Sequence, residues 1–297
     1  MYDTILVPTD GSDHAVRAGE HARYLADAFD ATVHVVTAVD IQSAAGPFDA
    51  GGVSEEFVAR LEERGEEALE AVRAVVDRDD AVRTGTLRGE PSEAILEYAA
   101  DHDVDLVAMG THGRTGVERY VTGSVTERVV SRSEAPVLTT RATERSRVGD
   151  GYEEVLVPTD GSDPAAAAVE PGLAVAERVG ARVHAVTVVD TSDAASPSSV
   201  VPEEVAAHLE SEGEAATDRI AAQARDRGLD ATTEVRTGVA ARDLLAYADE
   251  HGVDLVAMGT AGRTGLSRYL LGSTTERVIR HAEMPVLAVN ARDEAGD

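Results

Sequence analysis

Two segments of this sequence carry residue types able to hold a phosphorylated ligand, and each segment occurs twice. The first is Pro8-Thr9-Asp10, repeated as Pro158-Thr159-Asp160, which places a hydroxyl and a carboxylate directly after a short apolar run. The second runs from Gly110-Thr-His-Gly113-Arg114-Thr-Gly116 to Gly123-Ser124, and is mirrored by Gly259-Thr-Ala-Gly262-Arg263-Thr-Gly265 to Gly272-Ser273. Without a Cβ, Gly113 and Gly262 let the backbone approach a ligand closely. Gly123 and Gly272 close each loop just before a helical stretch. The N–H groups and hydroxyls of Ser124, Val125 and Thr126, or of Ser273, Thr274 and Thr275, are then expected to face a phosphate, with the helix dipole adding favourable potential. Such an anion site needs no lysine, and the chain has none: all 27 basic residues are arginine.

Local charge points the same way. Residues 110–132 hold four Arg against two Glu and residues 259–281 four Arg against one Glu, a total of +5 that leaves the rest of the chain at -33 out of a net -28. Positive charge gathered on two matching loops of an acidic protein attracts an anion. The alternative is that Arg128 and Arg277 pair with neighbouring Glu on a solvated helix face. Asp10 and Asp160 also admit two readings, as ligand contacts or as part of a helix cap with Ser12 and Ser162. Met109 and Met258 either border the ligand or fill core volume.

The elements that position these residues recur in the same order in both halves. Ile5–Asp13 reads ILVPTDGSD and Val155–Asp163 reads VLVPTDGSD; Val104–Thr111 and Val253–Thr260 both read VDLVAMGT. The offset changes from 150 to 149 between these pairs, so one net deletion separates the copies. Each copy begins with a strand (Ile5–Val7; Val155–Val157) and a helix after Ser12 or Ser162. A second strand (Thr32–Val39; Arg182–Val189), a polar loop that is a candidate lid, and an acidic helix (Ser54–Asp77; Pro202–Arg227) follow. Then come a third strand (Val82–Leu87; Thr232–Thr237), a helix (Pro91–Asp101; Ala240–Glu250), a fourth strand (Leu106–Met109; Leu255–Met258), the glycine loop, a helix, and a fifth strand (Pro136–Thr139; Pro285–Val289). Alternating strands and helices predict two tandem α/β domains, residues 1–141 and 152–292, joined by a polar linker over 142–151. Each is a doubly wound, Rossmann-like, five-stranded and mostly parallel sheet with helices on both faces. In such a sheet the ligand sits beyond the carboxyl ends of the strands, where chain order reverses, which is where the two segments meet.

With this signature in place, G-x2-G-x9-G-[ST] occurring twice, the sequence resembles the universal stress protein family over nearly the whole of both copies. The resemblance implies an adenine nucleotide alpha hydrolase-like fold and the ATP-binding branch of the family, since members that do not bind ATP lack these glycines. It further implies that Asp10 and Asp160 contact the ribose, that Ala38 and Val188 border the adenine, and that Met109 and Met258 lie against the nucleotide. The expected ligand is ATP, or AMP or ADP, with magnesium or manganese arriving with the phosphates. The family also implies pairing through the last strand, here Val137-Leu138 beside Val286-Leu287-Ala288 in an intramolecular pseudo-dimer, with further homo-oligomers optional.

Several function classes are excluded or set aside. Without lysine, neither a G-x4-G-K-[ST] loop nor the lysine of a protein kinase exists. No dedicated general base is set at a matching distance in both copies, and His112 becomes Ala261; slow ATP hydrolysis with Asp10 or a metal-held water acting, and a scaffold with one or both sites empty, are the alternatives to a nucleotide sensor with a protein partner. His34 and His184 recur in strands and are expected in structural hydrogen bonds, with no accompanying metal motif. The absence of cysteine removes disulfides and thiolate chemistry. Acidic charge disfavours nucleic acid and anionic membrane, and no apolar run reaches the ~18 residues of a membrane span, so a soluble, cytoplasmic protein is expected.

A net charge of -28 with 43% hydrophobic residues resembles proteins of salt-loving microbes, whose carboxylates repel one another until salt screens them. The thermal unfolding midpoint, followed by circular dichroism, is therefore expected to rise with potassium chloride; a flat response would mean that surface repulsion does not limit stability.

Overall fold

Ile5, Leu6 and Val7 form a run with no alternation of polar residues, and all three are fully buried, as a strand covered on both faces requires. They lie in β1 (Thr4–Pro8), the centre of the first domain. The computed structural model describes residues 1–40, 54–77, 81–113, 123–189, 203–262 and 271–291. The candidate lids after the second strand of each copy, and Arg114 and Arg263 in the glycine loops, lie outside the described residues. The chain separates into two compact units, Met1–Val148 and Gly149–Asp297.

In the first unit β1 is followed by α1 (Asp13–Phe29), β2 (Thr32–Val39), α2 (Glu55–Val76), β3 (Val82–Arg88), α3 (Pro91–Asp101), β4 (Leu106–Gly110), α4 (Ser124–Arg132) and β5 (Val137–Thr140). The sheet order is β3-β2-β1-β4-β5 and every described ladder in it is parallel. Helices α1 and α2 pack together on one face, and α3 and α4 on the other. The second unit repeats this with β6 (Glu154–Pro158), α5 (Asp163–Ala166), α6 (Val169–Val179), β7 (Arg182–Val189), α7 (Glu203–Asp226), β8 (Ala231–Thr237), α8 (Ala240–Glu250), β9 (Leu255–Gly259), α9 (Ser273–His281) and β10 (Val286–Val289), in the parallel order β8-β7-β6-β9-β10. Among the described residues no helix is long and apolar enough to cross a membrane.

The strand registers locate the deletion between the copies. Val39 pairs with Arg88 in the first unit and Val189 with Thr237 in the second, so the offset is 150 on the second strand of each copy and already 149 on the third. The net loss of one residue therefore falls between the second and third strands of the copies, and it is not a single event: Gly65 packs on Thr37 as Gly213 packs on Thr187, an offset of 148 on the helix between those strands.

One helix predicted after Ser162 is two. Pro171 has no N–H to offer the carbonyl of Ala167, and its ring crowds that carbonyl, so the helical ladder stops at Ala166 and restarts at Val169. The matching residue of the first copy is His21, and α1 there runs unbroken. His21 is fully buried, and its Nε2 donates to the carbonyl of Ser146 at 2.7 Å. The N–H of Ala142 also donates to His14 Nδ1 at 3.0 Å. Residues 142–148 of the expected linker thus belong to the first unit, fastened to α1 by two histidines that the second copy replaces with Pro164 and Pro171.

Burial, reinforced by the Arg17 charge and only partly offset by the bond to Ser146, lowers the His21 pKa to about 4 from an unfolded value of 6.5. A base depressed on folding leaves the unfolded chain to bind the proton first, so its contribution is intact above pH 6.5 and is lost as pH falls toward 4, by roughly 3 kcal/mol in all. His21→Gln keeps a donor for Ser146 and cannot take up the proton. Urea unfolding midpoints at about pH 7 and about pH 5 are expected to fall further in the wild type than in this variant; equal falls would remove His21 as a source of acid sensitivity.

Candidate functional site

The chain leaves β1 and β4 on opposite sides of the sheet, and the crevice between their carboxyl ends is bounded by three segments: the turn after β1, the loop after β4, and the start of α4. In the turn, Gly11 adopts a left-handed φ of 76° and Ser12 caps α1 by accepting from the N–H of Ala15 at 3.3 Å. Asp10 Oδ1 accepts from the N–H of Ser12 at 3.0 Å, while the Thr9 hydroxyl oxygen accepts from the N–H of Gly11 at 2.9 Å. The second copy repeats these contacts: Asp160 Oδ1 accepts from the Ser162 N–H at 2.9 Å, and Thr159 from Gly161 at 3.0 Å. The cap reading of Asp10 is thus observed in Oδ1, which braces the turn, while Oδ2 is turned toward the glycine loop.

Each glycine of the signature has a different physical reason. A Cβ on Gly110 would lie 2.7 Å from His14 Cβ and 2.9 Å from the Ala15 nitrogen, and one on Gly259 would strike the Pro164 carbonyl oxygen. These glycines let the fourth strand end against the start of the first helix. A Cβ on Gly113 would lie 2.5 Å from Asp10 Oδ2, and on Gly262 2.7 Å from Asp160 Oδ2, so here the glycine leaves room for the carboxylate. The N–H of Gly123 donates to the Thr111 carbonyl at 2.8 Å and that of Gly272 to Thr260 at 2.7 Å, which draws the far end of the loop back to the strand.

Gly123 and Gly272 provide no side chain to cap α4 and α9. Among the described residues no acceptor meets the N–H groups of Ser124, Val125 and Thr126, or of Ser273, Thr274 and Thr275. The expectation that every hydroxyl there faces a phosphate is corrected: Thr126 and Thr275 are buried and donate their hydroxyl protons to the carbonyls of Gly110 and Gly259, each at 2.8 Å. Those bonds tie the helix start to the strand end, so only backbone donors and the outward Ser124, or Ser273 and Thr274, are left for a ligand.

In the second unit these segments enclose a cavity of about 580 Å³. Pro158, Thr159 and Asp160 line it from the turn, Gly259 and Gly262 from the loop, Gly272 to Thr275 from the helix start, and Val188 and Met258 from the strands. Met109 and Met258 are only 5% exposed, so Met258 is a core side chain that also forms cavity wall. Ala38, the counterpart of Val188, stands at the same strand position in the first unit. The sequence reading missed one side of the cavity: Val239, Ala240, Ala241 and Leu244 at the start of α8, and Leu209 and Gly213 on α7; Arg277 on α9, counted among the clustered positive charges, lines it as well. The signal available for α8 was Gly238, since it ends another strand on the same carboxyl edge.

Charge differs between the copies. In the first, Arg128 Nη1 pairs with Glu90 Oε1 at 3.0 Å, and Glu90 also caps α3 by accepting from the N–H of Glu93. Partial burial pushes the Glu90 carboxyl up, but hydrogen bonds from the Ser92 hydroxyl and the Glu93 N–H, together with the Arg128 charge, outweigh it and hold the carboxyl below its ordinary value. Beside the turn, burial and then the Arg141 charge lower the pKa of His14 against the pull of Asp13 and Asp10, so its ring is neutral at pH 7. The recurrent strand histidines make hydrogen bonds: His34 Nδ1 lies 3.2 Å from the Tyr98 hydroxyl, and His184 lies 2.7 Å from both Tyr247 Oη and Glu154 Oε2.

A model of the universal stress protein family matches residues 1–141 and again residues 151–290. A universal stress protein of Methanocaldococcus jannaschii is 40% identical over 139 residues, 46% of this chain and 81% of its own length. One from Thermus aquaticus is 39% identical over 145 residues, 48% of this chain and all (100%) of its own. Across both units, the crystal structure of a universal stress protein from Archaeoglobus fulgidus superposes with a TM-score of 0.70 at 21% identity, covering 98% of this chain and 97% of that one, a likeness of fold.

Gly110→Ala and Gly259→Ala are expected to destabilise the protein by about 1–3 kcal/mol through overpacking, with no ligand present. Denaturant midpoints of the two variants check this; an unchanged midpoint would show that the strand end and the helix start can separate freely.

Proposed function

The chain belongs to the universal stress protein family, with one family domain in each half, and from this we propose that it is a tandem adenine-nucleotide-binding protein whose ligand is ATP or a close relative. The observation that carries the proposal is the cavity of the second unit, in which uncapped N–H groups of α9 face the same space as Asp160 and the Gly262 backbone. That arrangement suits a ligand with an anionic end and a sugar hydroxyl end. Backbone donors at a helix start take phosphate oxygens, and a carboxylate accepts from ribose hydroxyls. The apolar wall by Val188 and Leu244 suits a flat base.

In this reading Asp10 and Asp160 hold the ribose, and Ala38 and Val188 border the base. Residues 123–126 and 272–275 hold phosphate through their backbone, and Arg114 and Arg263 are further candidate contacts by their place in the signature alone. Magnesium or manganese enters with the phosphates. Binding rather than turnover is the activity proposed, with occupancy altering how the protein associates under stress.

Calorimetry of the full chain in potassium chloride with magnesium is expected to show two ATP-binding events. Gly113→Val removes one, Gly262→Val removes the other, and the double variant removes both, because a larger side chain at either position displaces the facing aspartate. No heat and no thermal shift with ATP, AMP or cyclic AMP would overturn the proposal.

A further inference from the structure

The two crevices carry the same signature glycines, yet they differ by one charge at a position that the signature does not include. Glu90 and Val239 are equivalent: each follows the glycine that ends the third strand of its copy, Gly89 or Gly238, and each occupies the N-cap of the next helix. Arg128 and Arg277 are likewise equivalent on α4 and α9. In the second unit both Val239 and Arg277 line the cavity, so this pair of positions forms part of its wall.

In the first unit the pair is Glu90 and Arg128, joined at 3.0 Å, so the arginine has a carboxylate partner before any ligand arrives. Among the described residues of the second unit there is no such partner. Val239 offers α8 no side-chain cap, and the nearby carboxylate of Asp243 is engaged elsewhere: its Oδ2 accepts from the Val239 N–H at 2.6 Å and also binds Arg242 at 2.9 Å. That bond leaves the Val239 side chain as apolar wall and keeps the Asp243 charge on Arg242. Glu276 is held by Arg280 in an ion pair along α9. Among the described residues Arg277 therefore pairs with no carboxylate.

We propose that Glu90 and Arg277 set the phosphate charge each site accepts, so that the second site favours a nucleoside triphosphate over a monophosphate more strongly than the first does. The inference rests on the nucleotide reading above and deepens it. Arg277 adds a positive charge where the outer phosphates of a bound triphosphate would extend, whereas Glu90 both occupies Arg128 and repels those phosphates. Arg128 is 54% exposed and Glu90 32%, so water screens the pair. The discrimination is correspondingly modest, about fivefold in the ratio of ATP to AMP affinity.

The test uses the full chain with one site silenced at a time: Gly262→Val leaves the first site and Gly113→Val leaves the second. ATP and AMP are titrated into each by calorimetry. The ATP to AMP affinity ratio is expected to be about fivefold higher for the second site. Glu90→Gln, which keeps an acceptor for the α3 cap and removes the charge, is expected to raise the ratio of the first site toward that of the second. Arg277→Gln is expected to lower the ratio of the second, and Arg277→Lys to retain it. A first site that is empty in the wild type and fills with ATP upon Glu90→Gln also supports the assignment, and one that stays empty counts against it. Equal ratios, or ratios that ignore these substitutions while both nucleotides bind, overturn the charge assignment alone and leave nucleotide binding standing. No binding of either nucleotide to any variant or to the wild type overturns both.

Discussion

Each site depends on the contact between β1 and β4. Their ladder is short, with Ile5 opposite Leu106 and Leu6 opposite Val107, and it is braced at its lower end by Asp105, whose Oδ2 accepts from the N–H groups of both Asp3 and Thr4 at 2.8 and 3.0 Å. Asp254 does the same for Glu153 and Glu154 in the second copy. With the lower ends pinned, the upper ends feed helices on opposite faces of the sheet, and the gap between those connections is the crevice. The crevice stays narrow because Gly110 and Gly259 allow the helix after the first strand to start against the end of the fourth. Thr126 and Thr275 then anchor the next helix to that same strand end. Sheet, turn, loop and helix start are thus joined by a few contacts that a single Cβ could break.

Much of this arrangement was legible in the sequence because local pattern and tertiary position agree. Strands buried on both faces read as unbroken apolar runs, and Thr32–Val39 and Arg182–Val189 have the predicted limits. Pro91 marks the start of α3 since it needs no donor at that position. What escaped notice depends on contacts distant in sequence. Nothing local distinguishes Gly110, which packs on a helix, from Gly113, which makes room for a carboxylate. Thr126 looks like a ligand hydroxyl until Gly110 is seen to accept its proton. The pairing of Arg128 with Glu90 spans 38 residues, whereas sequence reasoning searched for a partner on the same helix. The break before Val169 was readable in principle from Pro171, but the repeat itself obscured it by suggesting that the second helix copies the first.

The differences between the copies fall into two groups with separate physical meanings. His14 and His21 fasten residues 142–148, the segment that leads into the second unit, to α1. Pro164 and Pro171 stand at the matching positions of the second copy and cannot make these bonds, and the split helix is the structural result of Pro171. Glu90 and Val239 differ at the crevice instead. Glu90 caps its helix, whereas Val239 offers no side-chain cap and Asp243 meets only the N–H of Val239 itself. The exchange therefore removes a cap and, with it, the charge beside the arginine.

The scarcity of positive charge explains why the sites are built mainly from backbone. On a chain with a net charge of -28, a cluster of basic side chains would be neutralised by nearby carboxylates, as Arg128 is by Glu90. Peptide N–H groups at a helix start have no such competitor, because they are fixed in direction and carry no net charge for a carboxylate to seek over distance. They also respond differently to salt. Coulombic attraction between exposed charges fades once their separation exceeds the Debye length, about 10 Å at 0.1 M and shorter in stronger salt. A hydrogen bond formed at contact distance is screened far less. On the function proposed above, in which backbone donors hold the nucleotide and one arginine adjusts the preference, the holding step persists in concentrated salt and only the adjustment weakens as the solution becomes saltier.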